Sequence, residues 1–237
     1  MLSNFRIILI DTSHPGNIGS AARAMKTMGL SELYLVNPLH FPHQKAVELA
    51  SSAGDVLEQA QVVPDIDSAL EGCSLVVGTS TRSRSIPWPQ LSPREFAEKT
   101  VLSQTKIAVL FGREQSGLTN EELHRCHYHI QIPSNPDYSS LNIASAVQVI
   151  AYELRVASLA GNASVAQTWD YEWATATQME HFYEHLQKVM IETDFLNPKV
   201  PRQLMTRLRR LFSRARLDVM EVNILRGILN AVEKKIK

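Results

Sequence analysis

Cysteine is nearly absent from this 237-residue chain. Cys73 and Cys126 are the only two, so there is no disulfide framework to build on, and the pair fits a reducing compartment. An excess of one charge is also missing. Twenty-four basic residues balance 24 acidic ones, so any nucleic-acid partner must be met by a local cluster rather than by the overall charge. No apolar run approaches the ~18 residues of a bilayer span, and no membrane partner is expected. A strand pattern begins by Phe5 and leaves no room for a signal peptide, so the expected location is the cytoplasm.

What is present is a regular alternation. The apolar runs 5–11, 32–37, 74–80, 106–112 and 127–133 read as buried strands. Runs this continuously apolar are what parallel strands covered on both faces require. Helix-like patterns separate them at 20–29, 45–60, 65–72, 119–126 and 140–160. Thr119 with Glu122 makes a capping box, and Asp65 or Asp67 caps the short helix that follows. This alternation predicts an α/β fold with an open parallel sheet. After Gly161 the strand pattern stops, and from Gln178 the periodicity is helical, with breaks near Asn197-Pro198 and Leu217-Asp218. The expected domains are residues 1–162 and an all-helical unit over 163–237.

The first loop suggests a nucleotide site and then fails the test. Gly16 and Gly19 are spaced G-x-x-G rather than G-x-G-x-x-G, and Asn37-Pro38 stands where an acid should bind a ribose. The phosphate-cradling G-x-x-x-x-G-K-[ST] is absent as well. We read the two glycines as a sharp turn from strand to helix, with Asn17 as helix cap and Arg23 in the first helical turn, where a cation opposes the helix dipole. Further glycine- or hydroxyl-rich strand ends occur at 78–89, 111–118 and 132–146. Open α/β sheets bind ligands at such ends.

Taken together, N-x-G-S-x-x-R-A-x-x-x-x-G at 17–29, F-G-R-E-x-x-G-L at 111–118 and S-S-L-N-x-A-x-A at 139–146 resemble the three motifs of the SPOUT methyltransferases. Their order is similar to that of the branch that methylates ribose 2′-hydroxyls of RNA. The stretch CSLVVGTSTRSR and the tail RLRRLFSRAR resemble the bacterial tRNA cytidine/uridine 2′-O-methyltransferases. The resemblance implies a deep C-terminal trefoil knot, a homodimer, S-adenosylmethionine as methyl donor with no metal, and tRNA as substrate, modified at cytidine or uridine 32. The rivals are 2′-O-methylation of another tRNA or rRNA nucleotide, or a non-catalytic module that binds the cofactor or RNA.

The same resemblance carries residue roles. Thr79, Ser80, Thr81, Gly112, Ile132, Ser139, Ser140 and Leu141 fall where the family holds the cofactor, with Gly112 and Gly117 allowing close backbone approach. Arg23 matches the motif 1 arginine. A guanidinium stays protonated in proteins, so we assign it to phosphate binding and to the developing alkoxide rather than to a literal base. Asn17, Glu114, Ser140 and Asn142 complete the catalytic set. Asn142 is expected to orient its neighbours, and Glu114 to pair with Arg113 or with an arginine of a second subunit.

RNA contacts are sought in basic clusters. From Lys199 to Arg216 there are seven basic residues and no acid. On a helix the apolar stripe is Leu204, Met205, Leu208, Leu211, Phe212 and Ala215, leaving Arg207, Arg210 and Arg214 together, with Arg209 in the same run. Seven uncompensated charges in a neutral protein favour phosphate contact. Arg82 and Arg84 form a second basic pair. Trp88 offers a flat surface for stacking a base or for packing. His124, His127 and His129 lack the partners of a metal site and read as packing or surface groups.

Overall fold

A computed structural model describes residues 2–80, 88–160 and 171–236. Its centre is a seven-stranded, all-parallel sheet: β1 (Phe5–Ile10), β2 (Glu32–Val36), β3 (Gln61–Val63), β4 (Leu75–Thr79), β5 (Gln90–Leu91), β6 (Ile107–Phe111) and β7 (Tyr128–Ile130). Their spatial order is β3-β2-β1-β6-β4-β7-β5. The helices that accompany the sheet are α1 (Pro15–Met28), α2 (Gln44–Ala50), α3 (Gly54–Glu58), α4 (Ile66–Leu70), α5 (Pro93–Thr100), α6 (Asn120–His124) and α7 (Ile143–Ala160). The tail adds α8 (Ala176–Glu192), α9 (Leu204–Ala215) and α10 (Val219–Ile236).

The expected strands form because both faces of the sheet are covered. Every residue of β1 and β6 is buried. Alternate side chains go to opposite faces. Ile7, Leu9, Leu33, Val77 and Val109 pack on one side with α1, α5 and α7. Ile8, Ile10, Val76, Ala108 and Leu110 pack on the other with Cys73, Leu123 and Cys126. Arg6 is the polar exception inside β1. Its guanidinium is satisfied by Glu32 at 2.8 Å and by the carbonyls of Ala69 and Glu71, and it lies over the Tyr34 ring.

Several expectations are corrected. α1 starts five residues before Ser20, with Pro15 at its first position. His14 caps it by accepting from the Gly16 N–H, so Asn17 is not the cap. Gly16 and Gly19 are therefore helical rather than a turn. Gly19 is needed because a Cβ there would lie 2.0 Å from the Ala46 carbonyl oxygen, so it lets α1 and α2 touch. The helix expected over 45–60 breaks at Ser51, whose φ is +51°, giving α2 and α3. Strands β3 and β5, of three and two residues, were not foreseen. α7 is, against expectation, long and apolar enough by length and composition to cross a membrane. Its buried side, Ile143, Val147, Ile150 and Leu154, packs into the sheet core. The capping boxes at Thr119 and the cap at Asp65 form as expected.

The tail helices share a cluster of Met179, Phe182, Tyr183, Val189, Val222 and Leu229. They rest on the sheet domain beside α4 and α6. The Ala176 N–H donates to the Cys73 carbonyl at 2.7 Å. Arg125 bridges Asp67 (2.7 Å) and Glu180 (3.0 Å). Both cysteines are buried and free, and burial pushes the Cys73 thiol up to about 11.

Candidate functional site

The carboxyl ends of β4, β6 and β7 deliver three loops to one cavity of about 380 Å³. Thr79, Ser80, Gly112, Ile132, Ser139, Ser140 and Leu141 all line it, although the chain segments that bring them are far apart. Thr81, Arg82 and Arg84 lie outside the described residues. The Thr79 hydroxyl donates to the Leu110 carbonyl and the Ser80 N–H to the Ile130 carbonyl, so both strand ends are fixed in place. The resemblance did not name Phe111, Gln115, Ser116, Leu118, Ile130, Ile143 or Ala146, which also line the cavity. Ile143 and Ala146 carried a signal, being three apart on one helix face. Gly112 also has a packing reason to be glycine. A Cβ there would come 2.1 Å from the Gly117 carbonyl carbon, so it lets the 112–118 loop fold on itself. Gly117, at φ +68°, closes that loop.

Glu114 is the hub between the motifs. Its carboxylate accepts from the Ser13 hydroxyl (3.1 Å), the Ser13 and His14 N–H groups, and Asn17 Nδ2 (2.9 Å). Asn17 Oδ1 accepts in turn from Asn142 Nδ2 at 2.9 Å, and Asn142 Oδ1 caps α7 by accepting from the Ala144 N–H. One chain of hydrogen bonds thus joins residues of all three motifs. Partial burial works to raise the Glu114 carboxyl. The Asn17 amide and the N–H groups of Glu114, His14 and Ser13 outweigh it and hold the group below its usual range. Glu114 does not pair with Arg113. That arginine instead binds Asp11 and, at 2.9 and 3.0 Å, Glu122.

Arg23 is not in the first turn of α1. It stands mid-helix and exposed, on the same face as Thr27, and is outside the cavity lining. Among the described residues its side chain has no hydrogen-bond or ion-pair partner. Ser140 lines the cavity and is exposed.

The donor set fits a compact, cationic adenosyl ligand. Phe111, Ile130, Ile132 and Leu141 provide apolar walls, and Ser116, Ser139 and Ser140 provide hydroxyls. Among the described residues of the wall the one Lys or Arg is Arg113, which is already paired with two carboxylates, whereas Glu114 stays ionised. A sulfonium would therefore meet a complementary wall.

The basic tail sorts into two groups. Arg207 and Arg214 are exposed on α9, and Arg210 is half-buried. Arg209 is turned inward, correcting its assignment to RNA. It pairs with both Glu180 oxygens (2.5 and 2.8 Å) and lies 4.4 Å from the Tyr183 ring centroid. Trp88 is a core residue. Its indole N–H donates to the Cys126 carbonyl at 2.8 Å, and its ring stacks on His124 and His129. The exposed aromatic beside the cavity is Tyr138, 77% accessible. His127 is a packing group whose Nδ1 accepts from the Val76 N–H, and burial pushes its pKa down to about 4.

Comparison with known proteins places these features. Residues 4–152 match the model of the SpoU rRNA Methylase family, and residues 177–237 that of the tRNA methyltransferase TrmJ, C-terminal domain. A relative from Photorhabdus laumondii, named tRNA (cytidine/uridine-2′-O-)-methyltransferase TrmJ, is 53% identical over 240 residues, covering 100% of both chains. The crystal structure of TrmJ from Z. mobilis ZM4 superposes with a TM-score of 0.84 at 32% identity, covering 96% of this chain and 98% of that one. The SpoU methyltransferase AviRb of Streptomyces viridochromogenes, solved in complex with AdoMet, matches with a TM-score of 0.54 at 25% identity, covering 68% of this chain and 63% of its own.

Proposed function

The chain belongs to the SpoU methylase family and carries a TrmJ C-terminal domain, and on that premise we propose that it is an S-adenosylmethionine-dependent tRNA (cytidine/uridine-2′-O-)-methyltransferase. The nucleotide we assign is position 32 of the anticodon loop. The observation that carries the reading is convergence: the described cofactor residues expected at three separate strand ends line one cavity, with Glu114 in its wall.

When bound, S-adenosylmethionine supplies an electrophilic methyl group next to a positive sulfonium. Ser80, Ile132, Ser139 and Leu141 would hold it, and Glu114 would oppose its charge. The Glu114–Asn17–Asn142 chain fixes motif 1 against motif 3, so the walls that hold cofactor and ribose keep one geometry. We assign Arg23 to the RNA phosphate and to the alkoxide that develops as the ribose hydroxyl loses its proton. The proton leaves to phosphate or water, since a guanidinium cannot take it.

We also read the chain as a cytoplasmic homodimer with no membrane partner, divided at 162/163 into a methyltransferase domain and a helical tRNA-binding domain. Exposed Tyr152, Val156 and Leu159 on α7 support the dimer as an apolar face. The trefoil knot is supported by the sheet order: β6 inserts between β1 and β4, the chain crosses to β7, and α7 returns to pack on α1 and α5. Exposed Arg207 and Arg214 remain the tail's candidates for phosphate contact, and Arg82 and Arg84 keep that assignment.

Tritium from labelled S-adenosylmethionine, mapped onto total tRNA from cells lacking the protein, tests the reading. Label on the ribose of nucleotide 32 is expected. Label elsewhere would move the target, and failure to bind the cofactor would leave only the non-catalytic alternative.

A further inference from the structure

The loop after β7 has two sides. One lines the cavity just described. The other, together with β5 and the start of α5, encloses a second cavity of about 540 Å³. Ile132 and Ser139 belong to both walls, so the two cavities are neighbours across a single loop. The loop is held by its own hydrogen bonds. The Asp137 N–H donates to Asn135 Oδ1, the Tyr138 N–H to the Asn135 carbonyl, and the Ser134 hydroxyl to the Ser139 carbonyl. These bonds define the loop that runs between the two cavities.

The second cavity has the chemistry of a nucleobase site rather than a phosphate site. Among the described residues that line it there is no lysine or arginine. Its one carboxylate, Glu95, is committed to the Ser92 capping box. What it offers is two side-chain amides, Gln90 and Gln131. The register pairs Gln90 with His129, and alternation puts Gln131 on the same face as His129, so both amides project from one side of the sheet edge. Trp88, two residues before Gln90, stacks on His129 on that face. Both amides are exposed, and among the described residues neither has a side-chain hydrogen-bond partner. Main-chain bonds fix their backbones, the Gln131 N–H donating to the Leu91 carbonyl and the His129 N–H to the Pro89 carbonyl.

We propose that this cavity takes the pyrimidine base of the target nucleotide and that Gln90 and Gln131 read the group at its 4-position. This rests on the methyltransferase reading above, because the ribose attached to that base must face the neighbouring cofactor cavity. A side-chain amide carries an acceptor oxygen and two donor N–H groups. Rotated one way it accepts from the cytosine 4-amino group, and rotated by half a turn it donates to the uracil 4-oxygen. A pair of amides thus serves both pyrimidines, whereas a carboxylate or an ammonium would serve one. Single-stranded RNA loops are read on such edges once the base is splayed out.

The test compares methyl transfer to two tRNAs identical except for cytidine or uridine at the target. The ratio of their kcat/KM values does not depend on how much of a preparation is active. For whichever glutamine makes the contact, replacement by Glu, an acceptor only, should move the ratio towards cytidine by about tenfold, the factor for ~1.4 kcal/mol. Replacement by Lys, a donor only, should move it about as far towards uridine. The wild-type ratio retained in Gln90→Glu, Gln90→Lys, Gln131→Glu and Gln131→Lys alike overturns the inference while the methyltransferase reading stands. Wild-type protein that methylates neither tRNA removes the reading itself, and this inference falls with it.

Discussion

Asn17→Asp tests the hub directly, because it changes one atom's chemistry and almost nothing of its shape. In the wild type the Asn17 amide donates to the Glu114 carboxylate at 2.9 Å, and its oxygen accepts from Asn142 at 2.9 Å. The substitution keeps the second bond and turns the first into a contact between two carboxylates. A lost hydrogen bond to a charged group costs about 1.5–3 kcal/mol. Two like charges about 3 Å apart add roughly 1 kcal/mol in bulk water and roughly 6 at an effective dielectric of 20. Proton uptake caps that total. Protonating a carboxyl with an ordinary value of 4.5 costs about 3.4 kcal/mol at pH 7 and under about 1 at pH 5. A deficit of roughly 2–4 kcal/mol at pH 7 is therefore expected. The sign follows from linkage. In the variant one carboxyl of the pair has a raised folded-state pKa, so its stabilising protonation is present at low pH and lost as pH rises. Wild-type Glu114 is depressed, and its contribution is lost as pH falls. Both effects narrow the gap on acidification. Denaturant unfolding at pH 7 and pH 5 measures it, and an equal deficit at both values would refute the argument.

Replacing Arg207 and Arg214 together with Ala should weaken tRNA binding and reduce the slope of log affinity against log salt by roughly 1.4–1.8, read by filter binding across a salt series. Arg209→Ala should instead leave that slope unchanged and lower the unfolding free energy by about 2 kcal/mol, since it uncouples Glu180 and Tyr183. His127, depressed from 6.5 to about 4 by burial, contributes stability that is lost as pH falls through that window, up to about 3 kcal/mol. Unfolding curves of His127→Gln should be flatter over the same range. Gly19→Ala forces α1 and α2 apart at the Ala46 carbonyl, and thermal unfolding should show a loss of about 1–3 kcal/mol.

The central strands were legible because a parallel strand buried on both faces needs a continuous apolar run, and residues 7–10, 33–36, 75–77 and 107–111 each supply one. β7 shows only Tyr128 and Ile130 in alternation with histidine. β3 and β5 carry no such run, since strands of two or three residues at a sheet edge bury too little to leave a pattern. The start of α1 was misread because two glycines suggest a turn, whereas here Gly19 is small for the sake of a neighbouring helix that sequence spacing does not reveal. The site divides the same way. Its residue types were visible through motif resemblance, but the bond from Glu114 to Asn17 spans 97 positions and that from Asn142 to Asn17 spans 125. The same distance in sequence hid the fate of Arg209. Within α9 it looks like Arg207 and Arg214, since all three carry equal charge in one amphipathic segment. Only Glu180, on another helix and itself bridged by Arg125 to the sheet domain, turns it inward. A basic stripe read from sequence thus overstates its free charge wherever an acidic residue of a packed neighbour faces it. The proposal that this tail contacts RNA phosphates therefore rests on the arginines that Glu180 leaves exposed, Arg207 and Arg214.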